Sequence, residues 1–133
     1  MISTQQIRSY TDALGIPSRV DSDGSIMISL DPDEDFGYPI VICILVEEGR
    51  RLLFIAASPG YKPKGDQLFL ANRHNGRRYF PTAVVRDGSL RFEYSFLIEE
   101  EVSEDYIREN CVHNVLSAIW TSFCEFESDS EPD

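Results

Sequence analysis

The sequence lacks a long apolar run. Its longest apolar stretch, residues 40–46, has seven residues, whereas a helix that spans a bilayer takes about 20. The first residues show no basic segment followed by an apolar run, so no secretory signal is predicted. Paired cysteines are also lacking, because Cys43, Cys111 and Cys124 are odd in number and have no CxxC spacing. We therefore expect a cytoplasmic protein whose cysteines are reduced and act as small buried apolar residues.

Side chains that carry chemistry are few. The two histidines, His74 and His113, have no second histidine or cysteine at ligand spacing, so we predict no metal site. Cys111 lies two positions from His113, and residues two apart on a helix point in different directions, which argues against a nucleophile pair. Asp21–Gly24 begins like a calcium loop, but Leu30 stands where the loop needs a glutamate. No glycine-rich phosphate loop is present. We predict a non-enzymatic protein without a cofactor.

Acidic residues exceed basic ones. The 133 residues contain 12 Lys+Arg and 23 Asp+Glu, giving a formal net charge of −11. This balance argues against a dedicated nucleic-acid binder and against docking on an anionic membrane. The excess is uneven, because residues 50–92 have nine basic against two acidic residues, net +7, whereas residues 93–133 have one basic against twelve acidic, net −11. The basic segment is either a partner surface or complements the acidic flanks of its own fold, and we favour the second interpretation.

Turn signals and periodicity predict the order α-β-β-β-α-β-β-α, a two-layer α+β sandwich with an antiparallel five-stranded sheet. The segment up to Leu30 reads as one bent strand or a small hairpin around Asp23-Gly24. Strands are expected at 40–46, 52–57, 79–85 and 90–98, and helices near residues 4–14, 67–75 and 103–126.

The clearest element is a hairpin whose two-residue turn is Asp87-Gly88, which suits a type I′ turn and places Val85 opposite Leu90 and Ala83 opposite Phe92.

Two further patterns point to a surplus of apolar surface. The strands at 40–46 and 52–57 are apolar throughout, which predicts cover on both sheet faces. The last helix has apolar residues over an arc of roughly 220°, more than one sheet face needs. Three helices do not easily cover all of this surface, so we expect a homodimer or a bound polypeptide to cover the rest.

The order of elements resembles a known family. The stretch Leu68 to Asn75 leads into Arg78-Tyr79-Phe80, then Asp87 to Tyr94, and then a long closing helix. This pattern, over residues 3–126, resembles the YbjN family of bacterial sensory-transduction regulators, whose fold is similar to that of class I chaperones of type III secretion systems. The resemblance carries over Asn72, Asn75 and Tyr94 and no catalytic residue. The chain departs from the family in its aspartate-rich loop at 31–35 and in its acidic end.

The resemblance implies a dimeric, chaperone-like or regulatory module that dimerises through its second helix and the neighbouring strands and binds a partner polypeptide. We assign the domain to residues 1–126. The composition of residues 127–133 predicts an acidic disordered tail. The alternative is a regulator that contacts nucleic acid through the basic segment 73–91. The residues expected at the partner or dimer surface are Phe69, Asn72, Arg73, Asn75, Phe80, Val84 and Trp120.

Overall fold

The computed structural model describes residues 1–78, 80–99 and 101–130. The described residues form three helical units and six strands, which follow the predicted order except for one additional strand between the first two helices. The closing helix is continuous but has three parts, with a π-helical segment between two α-helical ones. The elements are α1 (Thr4–Ala13), β1 (Ser18–Val20), β2 (Ile26–Leu30), β3 (Ile40–Glu47), β4 (Arg51–Ala57), α2 (Gln67–Arg77), β5 (Thr82–Arg86), β6 (Ser89–Leu97), α3 (Glu104–Tyr106), the π segment (Ile107–His113) and α4 (Asn114–Ser130).

The sheet is antiparallel, with strand order β1-β2-β3-β4-β6-β5. The predicted fold class is confirmed, but the sheet has six strands where five were predicted. The reason lies in the Asp23-Gly24 turn, where the Asp23 carboxylate accepts a hydrogen bond from Ser25 N at 3.0 Å and Gly24 has φ +85°. This turn divides the segment before Leu30 into two paired strands, β1 and β2, rather than one bent strand.

The β5–β6 hairpin has the predicted register, with Val85 opposite Leu90 and Ala83 opposite Phe92. Asp87 and Gly88 have φ of +52° and +74°, as a type I′ turn requires at both central positions. β5 starts at Thr82 rather than at residue 79, and residue 79 itself lies outside the described residues.

The hydrophobic core lies between one face of the sheet and the helices. Most side chains in β3 and β4 alternate between buried and half-buried, and the described helices cover only the face that carries the buried ones. Cover of the other face by a second copy or a bound polypeptide stays a prediction. Apolar residues of α1, α2 and the closing helix belong to the same core cluster as Ile42, Phe54 and Phe92 of the sheet.

The wide apolar arc of the closing helix is explained within the chain. Its core residues share one cluster with Tyr10 of α1 and with Leu70 of α2, so two helices as well as the sheet contact it. Its π segment also shifts the angular position of the residues that follow, which a count at 100° per residue does not include. The helix begins at the predicted cap Ser103 and continues to Ser130, beyond the predicted end near Phe126.

Residues 131–133 of the predicted tail lie outside the described residues. No helix in the described part of the chain combines the length and the apolar composition needed to cross a bilayer.

Candidate binding surface

His74 is a core residue rather than a site residue. Its side chain is 5% exposed and lies against the rings of Phe92 and Phe126, with centroid distances of 4.9 and 5.6 Å. Nε2 lies 2.7 Å from the Pro81 carbonyl oxygen. Because a carbonyl only accepts, Nε2 carries a proton and donates. Burial lowers the pKa of His74, since it disfavours the charged ring.

The other groups considered for catalysis, His113, Cys111 and Cys124, all belong to the closing helix. His113 is half-buried on the closing helix, with Nδ1 3.5 Å from a Glu109 carboxylate oxygen. Cys111 is buried and Cys124 is half-buried, and burial raises the pKa of both thiols. Within residues 1–78, 80–99 and 101–130, no group of three histidine, cysteine or acidic side chains could hold a metal ion.

The outer side of α2 presents apolar side chains to solvent. Asp66 caps the helix, its Oδ1 accepting from Leu68 N at 2.9 Å, so the first turn is held in place. Leu68 and Phe69 in that turn are 63% and 61% exposed. One turn later, the Arg73 guanidinium carbon lies 5.4 Å from the centroid of the Phe69 ring, a cation–π contact. This outer surface, which also carries the exposed Asn72, is called the α2 patch.

Asn75 does not belong to the α2 patch, because its amide faces β5. Its Nδ2 donates to the Ala83 carbonyl at 2.9 Å, and its Oδ1 accepts from Ala83 N at 2.8 Å. In an antiparallel hairpin, hydrogen-bonded and non-hydrogen-bonded residue pairs alternate, starting with the hydrogen-bonded pair that flanks a two-residue turn. By this count Ala83 and Phe92 are not hydrogen-bonded to each other, so the backbone N–H and C=O of Ala83 point to the outer edge of the sheet. The Asn75 side chain therefore occupies the backbone N–H and C=O of Ala83, which a further strand would need in order to pair with β5.

The opposite edge of the sheet is also covered by a helix side chain. Arg8 of α1 donates to the carbonyl oxygen and to Oγ of Ser18 in β1, each at 3.0 Å. Ser18 is opposite Ile28. Both outer strands therefore have a backbone position occupied from the helix layer, which disfavours binding of a partner by strand addition at those positions.

The sheet face turned away from the helices is called the open face. Its side chains are opposite one another in adjacent strands, as in the pairs Cys43–Ile55 and Leu45–Leu53. None of the described helices covers them, and they are half-buried rather than buried. Leu97, at the end of β6, is 57% exposed. The apolar residues of the open face are Met27, Val41, Cys43, Leu45, Leu53, Ile55, Ala57, Val84 and Leu97.

Two arginines of the basic segment pair with acidic residues of the C-terminal part. Arg78 donates two hydrogen bonds to Glu125 of α4, one of them at 3.2 Å. Arg86 of β5 makes a two-point contact with Glu93 of β6, at 2.7 and 3.3 Å. These pairs support the interpretation that the basic segment complements the chain's own acidic flank.

The structure divides the predicted surface residues among several places. Phe69, Asn72 and Arg73 lie together on the α2 patch. Phe80 stacks on Tyr94 with a centroid distance of 5.1 Å and lines a groove of about 460 Å³ beside the closing helix.

Val84 and Trp120 lie away from the α2 patch. Val84 belongs to the open face, opposite Arg91. Trp120 lines a separate pocket of about 560 Å³ with Leu14 and Leu30. Sequence reasoning missed the exposed Leu68 and the edge role of Asn75; the only local signal for Leu68 was its place in the first turn of a capped helix.

A protein-family model matches residues 3–127 and is described as "YbjN: Putative bacterial sensory transduction regulator". The chain belongs to the YbjN family. A search of curated proteins found no match. Membership confirms the resemblance drawn from the order of elements and supports a regulatory or binding role for this YbjN protein. The further likeness to secretion chaperones stays a prediction.

The positions carried over from the YbjN resemblance have different surroundings in this chain. Asn75 binds the edge strand, and Tyr94 packs between the rings of Phe80 and Phe96. Asn72 is exposed on the α2 patch. Of the three, only Asn72 is placed where a partner could contact it freely.

Proposed function

We propose that this YbjN protein is a non-enzymatic cytoplasmic regulator that acts as a homodimer and binds a partner polypeptide. The observation that carries the proposal is the exposed apolar pair Leu68 and Phe69, each more than 60% exposed in the first turn of a helix whose other side is buried. Adjacent exposed apolar side chains of this size indicate a protein–protein contact.

A two-fold dimer suits the α2 patch. In such an interface the same patch from each copy meets the other. The aromatic ring of Phe69 and the guanidinium of Arg73 complement one another, and two copies could exchange this contact across the axis. Phenylalanine and arginine are also enriched at protein interfaces.

A light-scattering measurement on the full chain tests the dimer. The wild type is expected to have twice the chain mass of 15.1 kDa, and the double variant Leu68→Ser/Phe69→Ser is expected to have the mass of one chain. Tyr106→Ser removes an exposed aromatic residue on the closing helix and serves as the matched control. A monomeric wild type at micromolar concentration, or a double variant that stays dimeric, would refute the dimer proposed at this patch.

A further inference from the structure

The open face combines apolar side chains with an uneven distribution of charge. By the strand register it carries four arginines against two glutamates, net +2, on a chain whose net charge is −11. Most of the apolar side chains occupy the middle strands, and most of the charged ones lie on the outer strands or near strand ends. Glu93 is the exception, because it lies in the middle of β6 opposite Ile55. The charged residues of the open face are Arg19, Glu47, Arg51, Arg86, Arg91 and Glu93.

Arg91 is the arginine that lies closest to the apolar middle. The register places it between Ala57 of β4 and Val84 of β5. Its Nε is buried and has no hydrogen-bond partner among the described residues. Its neighbour Arg86 differs, because it has a two-point partner in Glu93. A buried donor without a partner is costly. The Arg91 side chain as a whole is half-buried, and no described carboxylate pairs with it, so a carboxylate from outside the chain would find an unpaired cation there.

We propose that the open face binds a partner polypeptide segment that combines apolar side chains with carboxylates. This inference rests on the proposed function, since it names the partner's chemistry and the surface that receives it. The apolar residues of the segment contact the middle strands around Cys43 and Ile55, and a carboxylate pairs with Arg91. At physiological salt the Debye length is about 8 Å, so acidic residues of the chain that lie farther than this from the open face are largely screened.

The same features argue against the other occupants. A second copy of this chain would bring an open face with the same net charge of +2, which disfavours pairing of two such faces. A nucleic acid would place phosphates over apolar side chains and beside Glu47 and Glu93. Addition of a strand at either edge is opposed by Asn75 and by Arg8.

Two synthetic peptides test the proposal with the full chain. They have equal length and the same leucine positions, and carry either glutamate or lysine between the leucines. Fluorescence polarisation is expected to show binding of the glutamate peptide and at least tenfold weaker binding of the lysine peptide. Arg91→Gln is expected to weaken binding of the glutamate peptide about five- to tenfold. Arg108→Gln, on the closing helix and outside both proposed surfaces, is expected to leave it unchanged.

Alkylation of Cys43 is measured on the wild-type protein, so the result does not depend on whether a variant folds. The glutamate peptide is expected to slow alkylation of this thiol, which lies in the middle of the open face. Equal binding of both peptides, no binding of either, or an Arg91→Gln variant that folds and binds normally would overturn the inference.

Light scattering in the same samples separates this inference from the dimer. A monomer that binds the glutamate peptide selectively would refute the dimer and support the open face. A dimer in which Cys43 is already protected without peptide would place the second copy on the open face and overturn the inference.

Discussion

The carboxamide of Asn75 makes both hydrogen bonds that the outward-facing backbone of Ala83 offers, at 2.9 and 2.8 Å. A helix side chain thus takes the place of a neighbouring strand at the free edge of β5. An unpaired edge is a template for association with other chains. The contact therefore has two expected effects: it stabilises the packing of α2 on β5, and it hinders association of other chains at the β5 edge.

Replacing this side chain tests the link. Asn75→Ala is expected to lower the free energy of unfolding by about 1–2 kcal/mol, because two hydrogen bonds are lost, and to raise the tendency to associate through β5. Urea unfolding and light scattering at increasing concentration measure the two effects.

Asn72→Ala is the matched control, because it makes the same exchange in the same helix and shares any gain in helix propensity. It is expected to change the free energy of unfolding by no more than about 0.5 kcal/mol. Equal stability of the two variants would contradict the role assigned to Asn75.

The hairpin and the helix caps could be predicted because their signals are local. Asp87-Gly88 provides adjacent positions that accept positive φ, and Ser103 precedes acidic residues. The Asp23-Gly24 turn gave a similar signal, but three residues of β1 were too few to separate a hairpin from a bent strand.

Features that depend on distant residues could not be predicted. Ile42 and Cys43 are both apolar, so their strand gives no sign of which face the helices cover. His74 reads as polar in a basic stretch, and only packing against Phe92 and Phe126 shows it to be buried. The partner of Asn75 depends on how the loop after α2 returns to the sheet.

Burial of His74 predicts a loss of stability in mild acid. Its pKa is lower in the folded chain than the ordinary value of 6.5, so the unfolded chain binds the proton more readily. The contribution of His74 to stability is therefore full above about pH 6.5 and is lost as the pH falls below it. Thermal or urea unfolding between about pH 7.5 and pH 5.5 measures this slope.

The variant His74→Gln isolates that slope. An amide N–H can still donate to the Pro81 carbonyl, but it does not titrate in this range. The variant is expected to have a flatter pH dependence of stability than the wild type. An unchanged slope in His74→Gln would show that other groups cause the loss.

The ion pairs of the basic segment predict weak contact with nucleic acid. Since Arg78 is bound to Glu125 and Arg86 to Glu93, a mobility-shift assay at about 50 mM salt is expected to show no retardation of single- or double-stranded DNA. The variant Glu93→Gln/Glu125→Gln removes the acidic partners of Arg86 and Arg78, and its DNA retardation is compared with that of the wild type. Retardation of DNA by the wild type, reversed by added salt, would favour the nucleic-acid alternative.

The three cysteines are expected to react with iodoacetamide at different rates. Cys43 lies half-buried on the open face, where none of the described helices covers it. Burial raises the pKa of Cys111 and of Cys124, which lowers their thiolate fractions, and the thiolate is the reacting species. Peptide mapping by mass spectrometry is therefore expected to find Cys43 modified first.

Cys43→Ser serves as the control for this order. It is expected to leave only slow modification, because the two remaining thiols belong to or pack against the core. Denaturation in urea should then make both thiols react rapidly. If Cys111 or Cys124 reacted before Cys43 in the native wild type, the thiols of the closing helix would be more accessible than the thiol on the open face. That result would contradict the packing described for the helix layer.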